Sequence, residues 1–410
     1  MTDPAVLRRR MVDDLIGSGE LVPAWREAFA TVPRHVFLPD VVWREDEDLP
    51  APADLVPLRR AEDPEVWLEL AYGPDFVITQ VDDGHPVGPQ GRGHYATSSA
   101  SMPAVVADML AHLGVRPGMR VLEIGTGTGY NAALLACRLG AQNITTIEID
   151  PGLAAHARQA LARAGFSEVT VVTGDGAHGH PPGAPFDRVI STATVTQVPY
   201  AWVGQTRPGG RVLTPWGTPY YSGGLLCLTV AADGTACGGL VSKTSFMALR
   251  DQRTPRVSVH RCVHHEQDAT TSQTALHPYD VAGHYDVQMG IGIQVPHCTY
   301  LYQPPDTDSE EAILWLFDPW SSSWASLHHH PHQATRSYRV RQLGPRRLFD
   351  EVEAAYHRWR DAGSPTADQW SFTVTPQHQR ISLTGKHSTP LTQTDTTKIT
   401  PWTQGIHHTS

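Results

Sequence analysis

The stretch VLEIGTGTGY, residues 121–130, decides the fold prediction. An apolar run typical of a buried strand leads into glycines at positions 125, 127 and 129, and helix-forming residues follow. Glycine lets the backbone turn tightly and approach a ligand, because no Cβ stands in the way. Nucleotide-binding loops and ordinary strand turns share this spacing, so the stretch alone leaves both readings open.

Apolar strands and longer helical runs alternate on both sides of this loop. The predicted strands are 120–124, 144–149, 169–173, 188–192, 211–215 and 225–230, and the predicted helices are 102–113, 130–139, 152–164 and 198–204. Short apolar strands separated by helices are typical of a parallel sheet that is covered on both faces. We therefore predict an α/β, doubly wound, Rossmann-like domain.

The rest of the chain predicts further units around this domain. Residues 1–70 suggest a cap of helices and loops, and the α/β domain then covers 71–240. After residue 240 the alternation is lost, and we predict a C-terminal α+β domain over 241–385. Within it HYDVQMGIGIQV (284–295) and TYLYQ (299–303) alternate like strands, whereas 347–360 has helical spacing. The polar, Thr-rich residues 386–410 predict a flexible tail.

Composition excludes several classes of protein. With 410 residues the chain exceeds what one core usually supports, so two domains are expected. No apolar run approaches the roughly 20 residues of a membrane span, and the N-terminal residues lack a signal-peptide pattern, so we expect a cytoplasmic protein without a membrane role. A net charge of −10 opposes nucleic-acid binding and favours a small-molecule or peptide partner.

Cysteine and histidine usage argues against a metal site. The five cysteines include no Cys-x-x-Cys pair, which disfavours both a disulfide framework and a thiolate zinc site. Histidines at 328, 329, 330 and 332 are clustered, but adjacent residues of an extended segment point to opposite faces. We therefore predict no metal.

Two acidic positions after neighbouring strands predict the ligand of the glycine loop. Glu148 ends the strand after the loop, where a carboxylate can accept hydrogen bonds from both ribose hydroxyls; the alternative is a solvated strand-end acid. Asp175 and Gly176, in GDGAHG, follow the next strand and are placed to bind adenine. The chain lacks the Gly-x-Gly-x-x-Gly spacing and the P-loop lysine, so an adenosine-bearing cofactor such as S-adenosylmethionine remains.

Six stretches together resemble the protein-L-isoaspartate O-methyltransferases. They are VPRHVFLP (32–39), SMP (101–103), VLEIGTGTGY (121–130), VTGDGAHG (172–179), APFDRVIST (184–192) and QTRPGGRVLTPWG (205–217). The resemblance covers residues 20–235 and implies a class I methyltransferase fold. It also implies cofactor contacts by Glu123, Gly125, Thr126, Gly127, Gly129, Glu148, Ile149, Asp175 and Gly176.

The same resemblance implies that Ser101 lies beside the acceptor carboxylate and the methyl donor. Helix capping is the alternative role for this serine. A carboxylate is already ionised at neutral pH, so methyl transfer to it needs no general base. The chain departs from the repair enzymes at Ala104, which stands where they usually have histidine.

Two C-terminal stretches, WLFDPWSSSWASL (315–327) and VRQLGPRRLFDEVEAAYHRW (340–359), resemble longer homologues from lanthipeptide and graspetide biosynthesis. That likeness implies methylation of an Asp or isoAsp carboxylate in a macrocyclic ribosomal peptide, followed by closure of the ester to an aspartimide. Isoaspartate repair with an appended domain is one alternative. A peptide-binding module without turnover is the other.

Overall fold

The computed structural model describes residues 3–46, 54–305, 310–331 and 337–384. His332 and the predicted flexible tail, 386–410, lie outside these ranges. The N-terminal elements are α1 (Pro4–Gly17), α2 (Arg26–Thr31), β1 (Val41–Glu45), β2 (Leu55–Arg59), α3 (Pro64–Tyr72), β3 (Val77–Val81) and β4 (Ala96–Ala100).

A small antiparallel sheet, in the order β2-β1-β3-β4, follows the first two helices. The prediction of only helices and loops in residues 1–70 was therefore wrong for β1 and β2. These five-residue strands pair with each other along their whole length, Val41 opposite Arg59 and Glu45 opposite Leu55. Such short segments carry little periodicity of their own, and the pairing partner decides their structure.

The predicted alternation of strands and helices is confirmed in the middle of the chain. Its elements are α4 (Pro103–Leu113), β5 (Val121–Ile124), α5 (Tyr130–Leu139), β6 (Ile144–Glu148), α6 (Pro151–Arg163), β7 (Thr170–Thr173), β8 (Phe186–Ser191), α7 (Tyr200–Gly204), β9 (Thr206–Trp216), β10 (Gly224–Val230) and β11 (Ala236–Lys243). Strands β5 to β9 are parallel in the order β7-β6-β5-β8-β9. The doubly wound α/β fold is confirmed.

The strand order reverses at β5, because β6 and β7 lie on one side of it and β8 and β9 on the other. All four residues of β5 are buried. In open α/β sheets, ligands bind beyond the carboxyl ends of the strands at such a reversal. This edge is where the glycine loop begins.

The C-terminal elements are α8 (Val259–Cys262), β12 (Thr270–Thr274), α9 (Pro278–Ala282), α10 (Tyr285–Gly292), β13 (Thr299–Gln303), β14 (Ala312–Asp318), β15 (Ser323–His329), β16 (Tyr338–Leu343), α11 (Leu348–Asp361), β17 (Trp370–Val374) and β18 (Gln379–Leu383). Strands β12 to β16 form an antiparallel sheet in the order β12-β16-β15-β14-β13. One face of α11 packs with β14 and β15 in a shared apolar core.

The strand-like reading of residues 284–295 was wrong, since most of this stretch forms α10. Met289 of α10 packs into the core beside the central sheet, whereas Val287 and Ile291 pack into the core of the C-terminal sheet. A helix buried on two sides loses its one-sided apolar pattern. Alternating apolar residues then imitate a strand.

The last two strands that the structure describes belong to the central sheet. Strand β17 pairs antiparallel with β11, Ala236 opposite Val374, and β18 extends the sheet by one more strand. The Phe372 ring contacts the Trp216 ring, with centroids 4.8 Å apart. Residues on both sides of position 240 therefore share one sheet, and the domain boundaries proposed from the sequence stay a prediction.

Candidate active site

A cleft with a volume of about 300 Å³ opens at the carboxyl ends of β5 and β6. One wall is the glycine loop, a second is β4 with the start of α4, and a third comes from residues after β11. The predicted site residues on these walls are Ser101, Gly125, Thr126, Gly127, Glu148, Ile149, Asp175 and Gly176. Two others, Glu123 and Gly129, lie behind the wall.

The glycine loop owes its shape to left-handed backbone conformations. Gly125 has φ +87°, and a Cβ there would lie 2.7 Å from the Thr192 hydroxyl oxygen. Gly129 has φ +88° and packs closely on Ala157 of α6, where a Cβ would be 3.3 Å from the alanine Cβ. Gly125 thus shapes the cleft wall, whereas Gly129 allows the loop to approach α6.

Glu148 is held at the floor of the cleft by two backbone amides. The Gly127 N–H donates to its Oε2 at 2.9 Å, and the Asp150 N–H donates to its Oε1 at 3.0 Å. The side chain is buried, and this burial raises the pKa of Glu148. The alternative of a solvated acid was therefore wrong. Each carboxylate oxygen can accept more than one hydrogen bond, so capacity remains for a ligand.

Glu123 is buried behind the glycine loop and stabilises it through hydrogen bonds. Its carboxylate accepts hydrogen bonds from Asn131 Nδ2 at 2.6 Å and from Thr146 Oγ1 at 2.5 Å, and Thr146 also contacts Thr126. Complete burial raises the pKa of Glu123 to about 7. These contacts tie the loop to α5 and β6, while a direct cofactor contact by Glu123 stays a prediction.

Asp175 and Gly176 form the turn after β7. The Asp175 Oδ1 accepts from the Ala177 N–H at 2.9 Å, which fixes the turn. A Cβ at Gly176 would lie 2.5 Å from Ile124 Cγ2, and the Trp202 indole donates to the Gly176 carbonyl at 2.8 Å. Only glycine lets this backbone lie against the end of β5.

Ser101 lies at the mouth of the cleft between β4 and α4. Helix α4 begins at Pro103, its N-cap is Met102, and no side chain caps it. The helix-capping alternative for Ser101 was therefore wrong. Ser101 lines the cleft and does not serve as the helix cap.

The third wall was missed by the sequence reasoning. We call residues 245–253 the strap. The Thr194 N–H donates to the Met247 carbonyl at 2.9 Å, and the Leu249 N–H donates to the Thr194 carbonyl at 2.8 Å. These bonds attach the strap beside β8, and residues 245–250 and 253 line the cleft. No glycine or acidic motif marks this stretch, so the sequence carried no strong signal for it.

Two arginines hold the strap to the loop after β3. Arg253 Nη1 lies 2.9 Å from an Asp83 carboxylate oxygen, and Arg250 Nη2 lies 3.4 Å from the same carboxylate. Arg250 also approaches Asp150 at 4.0 Å. The side chains are about one third exposed, so the pairing is partly screened by solvent.

The clustered histidines take part in structural contacts. His328 Nδ1 lies 2.9 Å from Glu311 Oε2, whereas the His329 ring faces His277 with centroids 4.9 Å apart. Burial lowers the pKa of both His328 and His329. Among the side chains that the structure describes, no group of three or more His, Cys, Asp or Glu residues could hold a metal. The predicted lack of a metal stays a prediction.

The cleft suits an adenosine-bearing cofactor. It is bordered by the buried carboxylate of Glu148, by the glycine loop and by the turn at Asp175. Separately, no helix in the described ranges is long and apolar enough to cross a membrane. Fold and cleft together define a class I, S-adenosylmethionine-dependent methyltransferase.

Comparison with known proteins identifies the family. The model of the protein-L-isoaspartate(D-aspartate) O-methyltransferase family matches residues 82–254. The protein-L-isoaspartate O-methyltransferase of Hyperthermus butylicus is 34% identical over 52% of this chain and 76% of its own length. That of Anaeromyxobacter dehalogenans is 42% identical over 43% of this chain and 82% of its own. The chain belongs to the protein-L-isoaspartate O-methyltransferase family, which consists of protein carboxyl methyltransferases using S-adenosylmethionine.

A solved structure named protein-L-isoaspartate O-methyltransferase shares the fold. Its alignment covers 92% of this chain and 99% of the solved chain, with a TM-score of 0.52 and 20% identity. The shared fold therefore extends well beyond residue 254, into the C-terminal region.

Proposed function

We propose that this chain transfers a methyl group from S-adenosylmethionine to an Asp or isoAsp carboxylate in a peptide. The observation that carries the proposal is the meeting of Ser101 and Glu148 on the walls of one cleft. Family membership supplies the carboxylate as acceptor. Glu148 would hold the ribose, Asp175 and Gly176 the adenine, and Gly125, Thr126 and Gly127 the methionine end.

The cleft has the chemical character that this reaction requires. S-adenosylmethionine supplies an electrophilic methyl group, and an ionised carboxylate attacks it directly. No histidine, lysine or cysteine lines the described cleft, and its two carboxylates, Glu148 and Asp175, are proposed to hold the cofactor, which accords with a reaction that needs no general base. Ser101 would orient the acceptor by donating its hydroxyl hydrogen to one carboxylate oxygen, and the apolar walls would exclude water.

We further propose that the acceptor is an aspartate in a macrocyclic ribosomal peptide and that the ester closes to an aspartimide. The next backbone nitrogen attacks the ester carbonyl, an N–C bond forms, and the methoxy group leaves as methanol with the amide proton. Ala104 and the resemblance of residues 315–327 and 340–359 to the longer homologues support this specificity. The C-terminal region, residues 241–385, would select the substrate.

Isoaspartate repair is the second candidate. The fold of the C-terminal region also occurs in the solved protein-L-isoaspartate O-methyltransferase, so possession of this region does not by itself favour a macrocyclic substrate. A module that binds peptides without turnover is the third candidate. It differs from both in predicting no methyl transfer to any peptide.

Mass spectrometry of two peptides distinguishes the three candidates. The full chain is incubated with S-adenosylmethionine and either a linear isoaspartyl peptide or a lactam-closed aspartyl peptide, and each mixture is searched for the ester and for loss of one water. Preference for the cyclic peptide supports tailoring, and preference for the linear one supports repair. Absence of both the ester and the dehydrated product, with either peptide, would overturn the proposed activity. A truncation near residue 240 is unsuitable, because it would cut β11 and remove its partner β17.

A further inference from the structure

Phe76 is an exposed aromatic residue at the mouth of the cleft. It lines the cleft, and 53% of its surface is exposed. It belongs to none of the hydrophobic clusters formed by the described residues. Stability of the fold therefore does not account for this position.

Phe76 and Ser101 flank the same end of two paired strands. Strands β3 and β4 are antiparallel, and their last pair at this end is Val77 opposite Ala100. Phe76 directly precedes Val77, and Ser101 directly follows Ala100. Both residues also line the cleft. Phe76 is therefore close in the fold to the serine that is proposed to orient the acceptor.

Several other apolar side chains line the same cleft, and three of them come from the start of α4 and from the strap. Met102 and Val105 come from the start of α4, and Phe246 comes from the strap. We call these residues, together with Phe76, the apolar rim. None of the four carries a charge. Val87 provides a contrast, because it is more exposed, at 68%, yet does not line the cleft.

We propose that the apolar rim binds an apolar side chain of the peptide residue next to the acceptor. The inference rests on the proposed function, and it adds that sequence neighbours of the acceptor determine which peptides are methylated. Binding of an apolar side chain against Phe76 is favourable, because it removes the surface of that side chain and the surface of the ring from water. A charged neighbour would lose hydration against these apolar side chains.

The test uses the full chain and two pairs of peptides. A linear isoaspartyl hexapeptide and a lactam-closed aspartyl peptide are each made with leucine or with glycine next to the acceptor. We expect Phe76→Ala to lower kcat/KM for the leucine peptides by roughly tenfold, because about half of the phenyl surface remains to be buried by the substrate. The glycine peptides should change by less than about twofold, and Phe76→Leu should recover most of the loss.

Two controls separate this inference from other roles of the ring. Val87→Ala removes exposed apolar surface away from the cleft and should behave as the wild type. Titration with S-adenosylhomocysteine should give equal affinities for Phe76→Ala and wild type; a weaker affinity would assign the ring to the cofactor and overturn the inference. Equal losses for leucine and glycine peptides would also overturn it. If the wild type methylates neither acceptor format, the proposed function fails and the inference fails with it.

Discussion

Removal of the Glu148 carboxylate tests the cofactor site most directly. In the structure this carboxylate accepts hydrogen bonds from the amides of Gly127 and Asp150, and Glu148 lines the cleft. Glu148→Ala would remove both proposed ribose hydrogen bonds and would also leave the Gly127 N–H without its partner. Affinity for the cofactor should therefore fall.

The expected loss of cofactor affinity follows from the number of hydrogen bonds removed. Hydrogen bonds to a charged group contribute about 1.5 to 3 kcal/mol each, so loss of two weakens binding by about 3 kcal/mol or more. Since 1.4 kcal/mol corresponds to a factor of ten, the dissociation constant should rise roughly a hundredfold, and by at least tenfold if water replaces part of the contact.

Calorimetric titration with S-adenosylhomocysteine measures this change without turnover. Asp63→Ala is the matched control, because it removes the side chain that caps α3 through Val66 and costs stability there, but it lies outside the cleft. Thermal unfolding of both variants without ligand corrects for general damage. If Glu148→Ala binds within about threefold of the wild type, or no worse than Asp63→Ala, the ribose assignment is wrong.

Three further predictions concern neighbouring residues. Ser101→Ala should leave the affinity for S-adenosylhomocysteine within about twofold but slow single-turnover methyl transfer; a rate equal to wild type would exclude an orienting role. The raised pKa of Glu123, about 7, means that the folded state holds this proton more tightly than the unfolded chain. The resulting stability, about 3 kcal/mol, should be full below about pH 4.5 and lost as pH rises through 7, and denaturant titrations of Glu123→Gln should lack this dependence. Asp83→Asn should weaken the attachment of the strap and speed dissociation of S-adenosylhomocysteine by roughly fivefold, whereas Arg207→Gln, which breaks a pair with Asp187 elsewhere, should not.

Much of the central fold and the positions around its cleft could be predicted from sequence. The glycine loop and Asp175 each follow a short strand and Glu148 ends one, and the carboxyl ends of parallel strands meet at one edge. The positions of these residues at the ends of successive strands therefore predicted that they lie close together in space. The apolar strands and the helices between them were recognisable because each buries a regular pattern of residues against the same sheet.

Other features of the fold and the cleft were decided only by the tertiary structure, because these features depend on contacts between residues that are distant in sequence. The strap reaches the cleft through bonds to Thr194, and β17 returns to pair with β11 after the whole C-terminal region. Phe76 and Ser101 come close because β3 and β4 pair as far as Val77 and Ala100. Helix α10 imitated a strand because it is buried between two cores. In each case the deciding partner is remote in sequence, so local periodicity carried no information about it.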